Sequence, residues 1–161
     1  MTNVLFVSKN NAARSLLAEA CLAHLGKQRF RAFSCGRPSS VGCSPSPWAL
    51  MALRTAGVPI EGLRCKSWTE FTRSGSPTID FVISLDQATV DVQPLWLGQP
   101  ETVVWAYPPL KTNRKQPAQL GLNTLHTLNS LRQRVEILVN LHSKVTLRSD
   151  LRHDLRDLAF L

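Results

Sequence analysis

Near the N-terminus, an apolar segment leads into a polar loop that ends at an arginine. From position 4 the sequence reads Val-Leu-Phe-Val-Ser-Lys-Asn-Asn-Ala-Ala-Arg-Ser, and helix-forming residues follow. A loop that enters a helix directs successive backbone N–H groups to one place, where the helix N-terminus adds partial positive charge. The guanidinium of Arg14 supplies a planar set of donors. The pattern predicts a site for phosphate, arsenate or a similar oxyanion, formed by Ser8, Lys9, Asn10, Asn11, Ala12, Ala13 and Arg14.

The spacing of these residues resembles the phosphate loop of the low-molecular-weight protein tyrosine phosphatases and the related arsenate reductases. That family has the pattern Cys-x-x-Asn-x-x-Arg-Ser. Asn11, Arg14 and Ser15 match it, and Ser8 stands where the family has its nucleophilic cysteine. The resemblance therefore places Ser8, Arg14 and Ser15 at catalytic positions. Segments 29–36, 57–68, 81–88 and 94–105 are also similar to bacterial arsenate reductases, so the resemblance covers roughly residues 3–110.

The rest of the chain alternates strand-like and helical segments. Strand patterns occur at residues 4–7, 30–34, 81–85 and 102–105. Helical patterns occur at residues 12–25, 48–56, 118–141 and 150–159, and Ser67 with Glu70 forms a capping-box pattern before a short helix. The alternation predicts an α/β fold whose ligand sites lie at the carboxyl ends of parallel strands. The family resemblance implies three layers, α/β/α, around a central four-stranded parallel sheet, in a single domain over residues 1–161.

Composition narrows the class of protein. A chain of 161 residues with 43% hydrophobic residues is long enough for one well-buried core. It has no run of about 18 apolar residues and no leader pattern, so we expect a cytoplasmic protein without a membrane partner. The net charge of +8 arises mostly in residues 111–161, which contain nine lysines and arginines and four acids. These residues alternate with leucines, which favours a solvated amphipathic helix over nucleic-acid binding.

The four cysteines do not form a recognisable metal or disulfide pattern. Their spacing fits neither a zinc site nor a C-x-x-C pair, so we expect reduced, mostly buried thiols and neither a metal nor a cofactor. They are Cys21, Cys35, Cys43 and Cys65.

The sequence departs from the family at the positions that carry its chemistry. Leu85 and Gln93 stand at the two further cysteine positions, Val104 replaces a histidine, and Pro109 replaces the general-acid aspartate. A loop of this kind ionises a thiol, whose pKa falls from about 8.5 to roughly 3.5–7.5, whereas a serine hydroxyl needs an adjacent base. A positioned acid contributes about 10²–10⁴-fold to a rate. The resemblance thus implies that disulfide-coupled arsenate reduction and acid-assisted phosphate transfer are both impaired.

Three functions are compatible with these residues. The first is a catalytically degenerate arsenate reductase-like or phosphatase-like protein that retains its oxyanion loop and binds an oxyanion or a phosphorylated partner in a regulatory role, such as an arsenic response. The second is an active arsenate reductase or phosphatase, either trapped by an engineered serine or using Cys35 or Cys65 as a substitute thiol. The third is a protein-interaction scaffold or homo-oligomer with a vestigial loop. Asp86 is the candidate replacement proton carrier, and Trp48 is a candidate pocket wall.

Overall fold

A parallel sheet of four strands forms the centre of the protein. The computed structural model describes residues 1–42, 44–111, 116–142 and 147–161. The strands are β1 (Thr2–Val7), β2 (Phe30–Cys35), β3 (Phe81–Ser84) and β4 (Glu101–Val104). They lie in the order β2-β1-β3-β4, and every neighbouring pair is parallel. The predicted α/β fold with a four-stranded parallel sheet is confirmed.

Helices cover one face of this sheet thickly and the other face thinly. On the first face, α1, α2, α4 and α5 enclose the larger core. On the second face, the smaller core is closed by Trp68, Phe71, Ile79 and Trp96, which belong to a 3₁₀ helix and to loops. The helices are α1 (Arg14–Leu25), α2 (Pro47–Thr55), the 3₁₀ helix (Trp68–Phe71), α3 (Gln87–Val90), α4 (Pro117–Leu141) and α5 (Arg148–Leu158).

The central strand β1 is buried on both faces. Val4 and Phe6 belong to the larger core, whereas Leu5 and Val7 belong to the smaller core, as the two-residue alternation of a strand requires. Because both faces are covered, β1 is a continuous apolar run in the sequence. Its direction places residue 8 at the carboxyl edge of the sheet, where the chain also leaves β2, β3 and β4.

Two local predictions differ from the structure. Helix α1 begins at Arg14, two residues later than the pattern predicts. Asn11 has a left-handed φ of 50° and Ala13 has a φ of −139°, so residues 12 and 13 belong to the loop and not to the helix. The capping box forms only in part. Ser67 Oγ accepts the N–H of Thr69 at 3.2 Å, but Glu70 accepts two hydrogen bonds from Arg64 at 2.7 and 3.0 Å. The stronger charged partner of Glu70 replaces the backbone contact.

The described cysteines occupy different environments. Cys21 and Cys35 are buried, and Cys65 is partly buried. Burial raises the pKa of Cys21 to about 12 and also raises the pKa of Cys35. Cys43 lies outside the described residues. In the part of the chain that the structure describes, no helix has both the length and the hydropathy that a membrane span requires.

Candidate oxyanion site

The loop between β1 and α1 (residues 8–13, the β1–α1 loop) lies along one wall of a cavity of about 380 Å³. The start of α1 and the start of α2 border the same cavity, so the N-terminal ends of two helices face it. The remaining wall comes from the segment after β4. The lining residues are Ser8, Lys9, Asn10, Asn11, Ala12, Ala13, Arg14, Ser46, Pro47, Trp48, Pro109, Leu110, Lys111 and Leu120. The structure thus brings all seven predicted oxyanion-binding residues together at one cavity.

The carbonyl groups of the β1–α1 loop are fixed by a neighbouring segment. Lys9, Asn10 and Ala12 accept hydrogen bonds at 3.0, 2.9 and 2.8 Å from backbone N–H groups within residues 37–46. The N–H groups of residues 10–15 donate to no group among the described residues. The loop therefore has three of its carbonyls satisfied by that segment and a row of donors unpaired, which is the polarity that an anion site requires.

The Asn11 side chain holds the unusual bend of this loop. Asn11 is fully buried and has a left-handed backbone, with φ at 50°. Its Nδ2 donates to the hydroxyls of Ser15 at 2.7 Å and Ser34 at 2.9 Å, and its Oδ1 accepts the N–H of Lys66 at 2.9 Å. Gly36 packs against this bend so closely that an added Cβ would lie 3.0 Å from the Asn11 nitrogen. The bend is therefore held by hydrogen bonds at both Nδ2 and Oδ1 of the Asn11 side chain.

The hydroxyl of Ser8 points to another hydroxyl. Ser8 is 2% exposed, and its Oγ lies 2.6 Å from the Oγ of Ser15. Ser15 is its only side-chain partner among the described residues, and the Ser15 hydroxyl already accepts a hydrogen bond from the Asn11 amide. Neither group is a base at neutral pH, so this arrangement does not activate Ser8 as a nucleophile. It leaves Ser8 able to donate a hydrogen bond into the cavity while Ser15 donates to Ser8.

Arg14 is held at the cavity by two partners. Its Nη2 lies 2.9 Å from Oδ2 of Asp86, and its Nη1 donates to the carbonyl of Tyr107 at 3.0 Å. The residue is only 7% exposed. Burial lowers the pKa of Arg14, and the attraction of Asp86 opposes that shift. Since arginine ionises near 12.5 or above, its guanidinium stays charged at neutral pH.

Asp86 connects the β1–α1 loop to the segment after β3. Its Oδ2 accepts the N–H of Lys9 at 2.9 Å as well as the guanidinium of Arg14. Its Oδ1 accepts the N–H of Thr89 at 3.1 Å and so caps α3. Asp86 thus fixes the adjacent loop through a side-chain to backbone bond. It does not line the cavity.

An aromatic ring and two lysines complete the wall. The ring of Trp48 packs against α4 at Gly121, where an added Cβ would lie 2.9 Å from Cζ3 of the indole. A side chain at that position would force the ring to shift. Lys9 and Lys111 place two positive charges at the cavity in addition to Arg14, and no acid is among its described lining residues.

The positions where the sequence departs from the family pattern are not all at this cavity. Pro109 lines it, but Leu85 is fully buried in the larger core. Gln93 donates to the hydroxyl of Ser84 and accepts the indole N–H of Trp96 at 3.1 Å. Together with Val104 it borders a separate pocket of about 340 Å³. Gln93 therefore has polar neighbours and Leu85 has apolar ones, and neither residue is among those that line the cavity with Ser8.

The two proposed substitute thiols also lie outside the cavity lining. Cys35 is fully buried at the end of β2, and only its backbone carbonyl reaches the loop, by accepting the N–H of Ser8 at 3.2 Å. Burial raises the pKa of the Cys35 thiol, which opposes formation of a thiolate. Cys65 follows Arg64 and is partly buried. Neither thiol is among the residues that line the cavity.

Several residues of the site receive no role from the sequence, although Ser34 and Lys66 lie in the segments 29–36 and 57–68 that resemble the family. Lys66, Glu19 and Ser34 meet behind the β1–α1 loop although 47 positions separate Glu19 from Lys66. Tyr107 contributes a backbone carbonyl, which any residue could supply. Lys111 contributes charge from a loop. Spacing along the chain gives no signal for such contacts, because the fold creates them.

Comparison with known proteins supports the fold and identifies the family. The family model for low molecular weight phosphotyrosine protein phosphatases matches residues 3–102. The chain belongs to this family. Among curated proteins, the glutaredoxin arsenate reductase of Synechocystis sp. is 32% identical over 99 residues, which are 62% of this chain and 71% of the relative.

Solved structures agree with this membership. An arsenate reductase in a phosphate-binding state is 25% identical, with a TM-score of 0.65 over 88% of this chain and 98% of that chain. The arsenate reductase from Archaeoglobus fulgidus is 20% identical, with a TM-score of 0.66 over 85% of this chain and 98% of that chain. At that lower identity the likeness shows the fold alone. The protein is thus a family member by sequence and an arsenate reductase-like structure by fold.

Proposed function

We propose that this family member binds a phosphate-like oxyanion, either free or on a phosphorylated partner, and does not transform it by cysteine chemistry. The observation that carries the proposal is the row of unpaired N–H groups at residues 10–15, beside the charged Arg14, at a cavity of about 380 Å³. Charge-assisted hydrogen bonds from a guanidinium and from backbone donors are the strongest contacts that a protein offers to such an anion. A binding or regulatory role follows from this chemistry.

The residues around the anion position support the absence of turnover. In this family the resemblance assigns the nucleophile to position 8, and Ser8 is paired only with the neutral Ser15 hydroxyl among the described residues. Pro109 lines the cavity at the position of the general acid and has no proton to give. A leaving group would therefore depart without protonation. Leu85 and Gln93 cannot form the disulfides that arsenate reduction by further cysteines requires.

Thermal unfolding in the presence of anions tests the proposal. The melting temperature is measured in rising phosphate and arsenate at fixed ionic strength, with chloride making up the balance. A ligand at 100 times its dissociation constant adds about 2.7 kcal/mol to the stability of the folded state. We expect this rise in the wild type and its loss in Arg14→Ala. Equal behaviour of the two proteins in phosphate and in chloride would contradict oxyanion binding.

An active arsenate reductase is the second candidate, and its support is the 32% identity to the Synechocystis glutaredoxin arsenate reductase. If this chain reduces arsenate, it needs a thiol, and Cys35 and Cys65 are the described thiols that lie within the arsenate reductase-like segments 29–36 and 57–68. The discriminating measurement is arsenite formation with glutaredoxin or thioredoxin and an excess of reductant. Turnover that disappears in Cys35→Ser, Cys65→Ser or Ser8→Ala would replace the binding proposal. An assay without arsenite formation would support the binding proposal.

A further inference from the structure

A buried ion pair lies behind the β1–α1 loop. The ammonium of Lys66 is 3.5 Å from Oε1 of Glu19, and the two side chains are only 8% and 12% exposed. Neither residue lines the oxyanion cavity. Removing two charges from water is costly, and their attraction offsets that cost only when further hydrogen bonds satisfy both groups. The groups that satisfy this pair are therefore informative about its role.

Those groups lead directly to the bend of the loop. Nζ of Lys66 donates to the carbonyl of Arg64 at 2.9 Å and to Oγ of Ser34 at 3.4 Å. The Ser34 hydroxyl donates to Oε1 of Glu19 at 3.3 Å and accepts from Nδ2 of Asn11 at 2.9 Å. Ser34 is fully buried and has no freedom to turn to water. The charged groups of Lys66 and Glu19 hold the Ser34 hydroxyl on one side, and this hydroxyl holds the Asn11 amide on the other.

Lys66 also contacts the opposite end of the same amide. Its backbone N–H donates to Oδ1 of Asn11 at 2.9 Å, while its ammonium acts on Nδ2 through Ser34. Asn11 is the residue with the left-handed backbone, at a φ of 50°, a conformation that is uncommon for residues other than glycine although asparagine tolerates it better than most. One lysine therefore fixes, directly and through Ser34, the amide that bends the loop.

We propose that Lys66 is a positioning residue of the oxyanion site, with Glu19 as the counter-charge that permits its burial. The lysine does not contact the anion. It holds Ser34 and Asn11 so that the N–H groups of residues 10–15 remain turned to the cavity. This inference rests on the oxyanion binding proposed above, and it adds a residue that acts from behind the loop.

A set of four variants separates positioning from a general loss of stability. Lys66→Met removes the ammonium and leaves Glu19 buried without its partner. Lys66→Met combined with Glu19→Gln removes both charges. Lys66→Arg keeps a cation at the same place. Arg64→Met is the matched control, because Arg64 is two residues from Lys66 along the chain. This substitution also removes a positive charge, but from an ion pair with Glu70 in which the Arg64 side chain is 60% exposed.

Three quantities are measured for each variant: the melting temperature without phosphate, the phosphate dissociation constant by isothermal titration, and amide exchange at Gly42 and Ser46. Those two amides donate to the Asn10 and Ala12 carbonyls and report on the loop itself. We expect Lys66→Met to lower the melting temperature and to weaken phosphate binding by about tenfold or more, because it leaves a buried charge unpaired and frees Ser34. Arg64→Met should stay within about twofold of the wild type on both counts.

The double variant gives the decisive result. Removing both charges relieves the unpaired carboxylate, so its melting temperature should recover towards the wild type. Its phosphate affinity should stay about tenfold weaker, because neither the ammonium nor the carboxylate then fixes Ser34. Lys66→Arg should regain part of the affinity. Recovery of affinity together with melting temperature in the double variant would overturn the proposal, as would phosphate binding by Lys66→Met equal to that of Arg64→Met.

Failure of the two proposals can be told apart. If the wild type and Arg14→Ala are both insensitive to phosphate, oxyanion binding fails, and amide exchange still tests Lys66. Faster exchange at Gly42 and Ser46 in both Lys66→Met and the double variant would keep Lys66 as the residue that holds the loop. Unchanged exchange in the double variant would overturn that role. If Lys66→Met does not fold, the double variant carries the comparison.

Discussion

Two regions meet at the carboxyl edge of the sheet and differ in what their side chains can do. In the β1–α1 loop, Asn11 and Arg14 are buried and hydrogen-bonded, and the backbone donors between them remain unpaired. In the segments after β3 and β4, Leu85 lies in the core, Gln93 bonds to its neighbours, and Pro109 is an inert part of the cavity wall. Binding an oxyanion requires only the first region, whereas turnover requires reactive groups from the second.

The comparison has a physical reason. An anion is held by donors whose geometry is set once by the fold, so a loop with satisfied carbonyls and open N–H groups is sufficient. Covalent or redox chemistry also needs a nucleophile with a lowered pKa and a proton donor at a defined place. Under our proposal this chain keeps the N–H donors that hold an anion and lacks both the activated nucleophile and the proton donor. The predictions below restore, remove or weaken one region at a time.

The largest effect is expected when the chemistry is returned to the loop. Ser8→Cys places a thiol at the start of the β1–α1 loop, on the cavity that Arg14 also lines, and Pro109→Asp places an acid on the cavity wall. We expect Ser8→Cys to hydrolyse p-nitrophenyl phosphate above the wild-type level, because this leaving group needs no protonation. Adding Pro109→Asp should accelerate hydrolysis of phenyl phosphate by about 10²–10⁴-fold. Steady-state rates of the single and double variants give the measurement.

The control for this experiment is Arg14→Ala in the double-variant background, which should return the rate to that of the wild type. A double variant that binds phosphate as the wild type does but shows no hydrolysis would contradict the comparison. The β1–α1 loop would then differ from a catalytic one in more than its side chains.

A second prediction concerns the contact that joins the two regions. Asp86→Ala removes the partner of buried Arg14, the acceptor of the Lys9 N–H and the cap of α3. Breaking a buried pair from one side costs about 3–5 kcal/mol, so the free energy of unfolding should fall by that amount. Urea denaturation gives the measurement. Asp91→Ala is the control, because Asp91 is exposed; a loss no larger than that of the control would show that Asp86 is dispensable.

A third prediction tests whether geometry or charge alone makes the loop an anion site. Arg14→Lys keeps the charge but loses the planar pair of donors. Phosphate affinity should fall about tenfold, which corresponds to about 1.4 kcal/mol. Isothermal titration at fixed ionic strength gives the value, with Lys9→Met as the comparison for a cation at the cavity. If Lys9→Met weakens binding more than Arg14→Lys does, general positive potential outweighs the guanidinium geometry.

The smallest effect is a pH dependence from behind the loop. Burial raises the pKa of Glu19 above its usual 4.5, and Lys66 and Ser34 only partly oppose this shift. The folded protein therefore binds a proton at Glu19 more readily than the unfolded chain does. Stability from this group is largest below pH 4.5 and declines as the pH rises through the pKa of the folded state.

Glu19→Gln should remove that part of the pH profile, which thermal unfolding from pH 4 to 8 measures. The difference in stability between Glu19→Gln and the wild type should shift in favour of the glutamine variant as the pH rises. An identical pH profile for the two proteins would contradict the raised pKa. Glu136→Gln, at an exposed position on α4, is the control for removing one carboxylate.

Much of the fold was readable from the sequence for a simple reason. The strand β1 is buried on both faces, so its run of apolar residues has no competing interpretation. Helix α4 buries Leu128, Leu131, Val135 and Leu138 of its predicted apolar stripe, although Leu122 and Leu125 are exposed, and its predicted start at residue 118 is one residue from the observed Pro117. The start of α1 was less accurate, because the left-handed Asn11 delays the helix. Backbone conformation at a single residue leaves little trace in a periodic pattern.

The candidate site divides in the same way. The sequence by itself determined which residues form the β1–α1 loop, because the backbone donors of that loop belong to consecutive residues and are recognisable from their spacing alone. Only the tertiary structure decided that Asp86 and Tyr107 hold Arg14, and that Lys66 and Glu19 stand behind Asn11. It also decided that Gln93 borders a pocket separate from the one that contains Ser8. Those contacts join residues that are far apart in the sequence, and only folding brings them together and buries their charged groups.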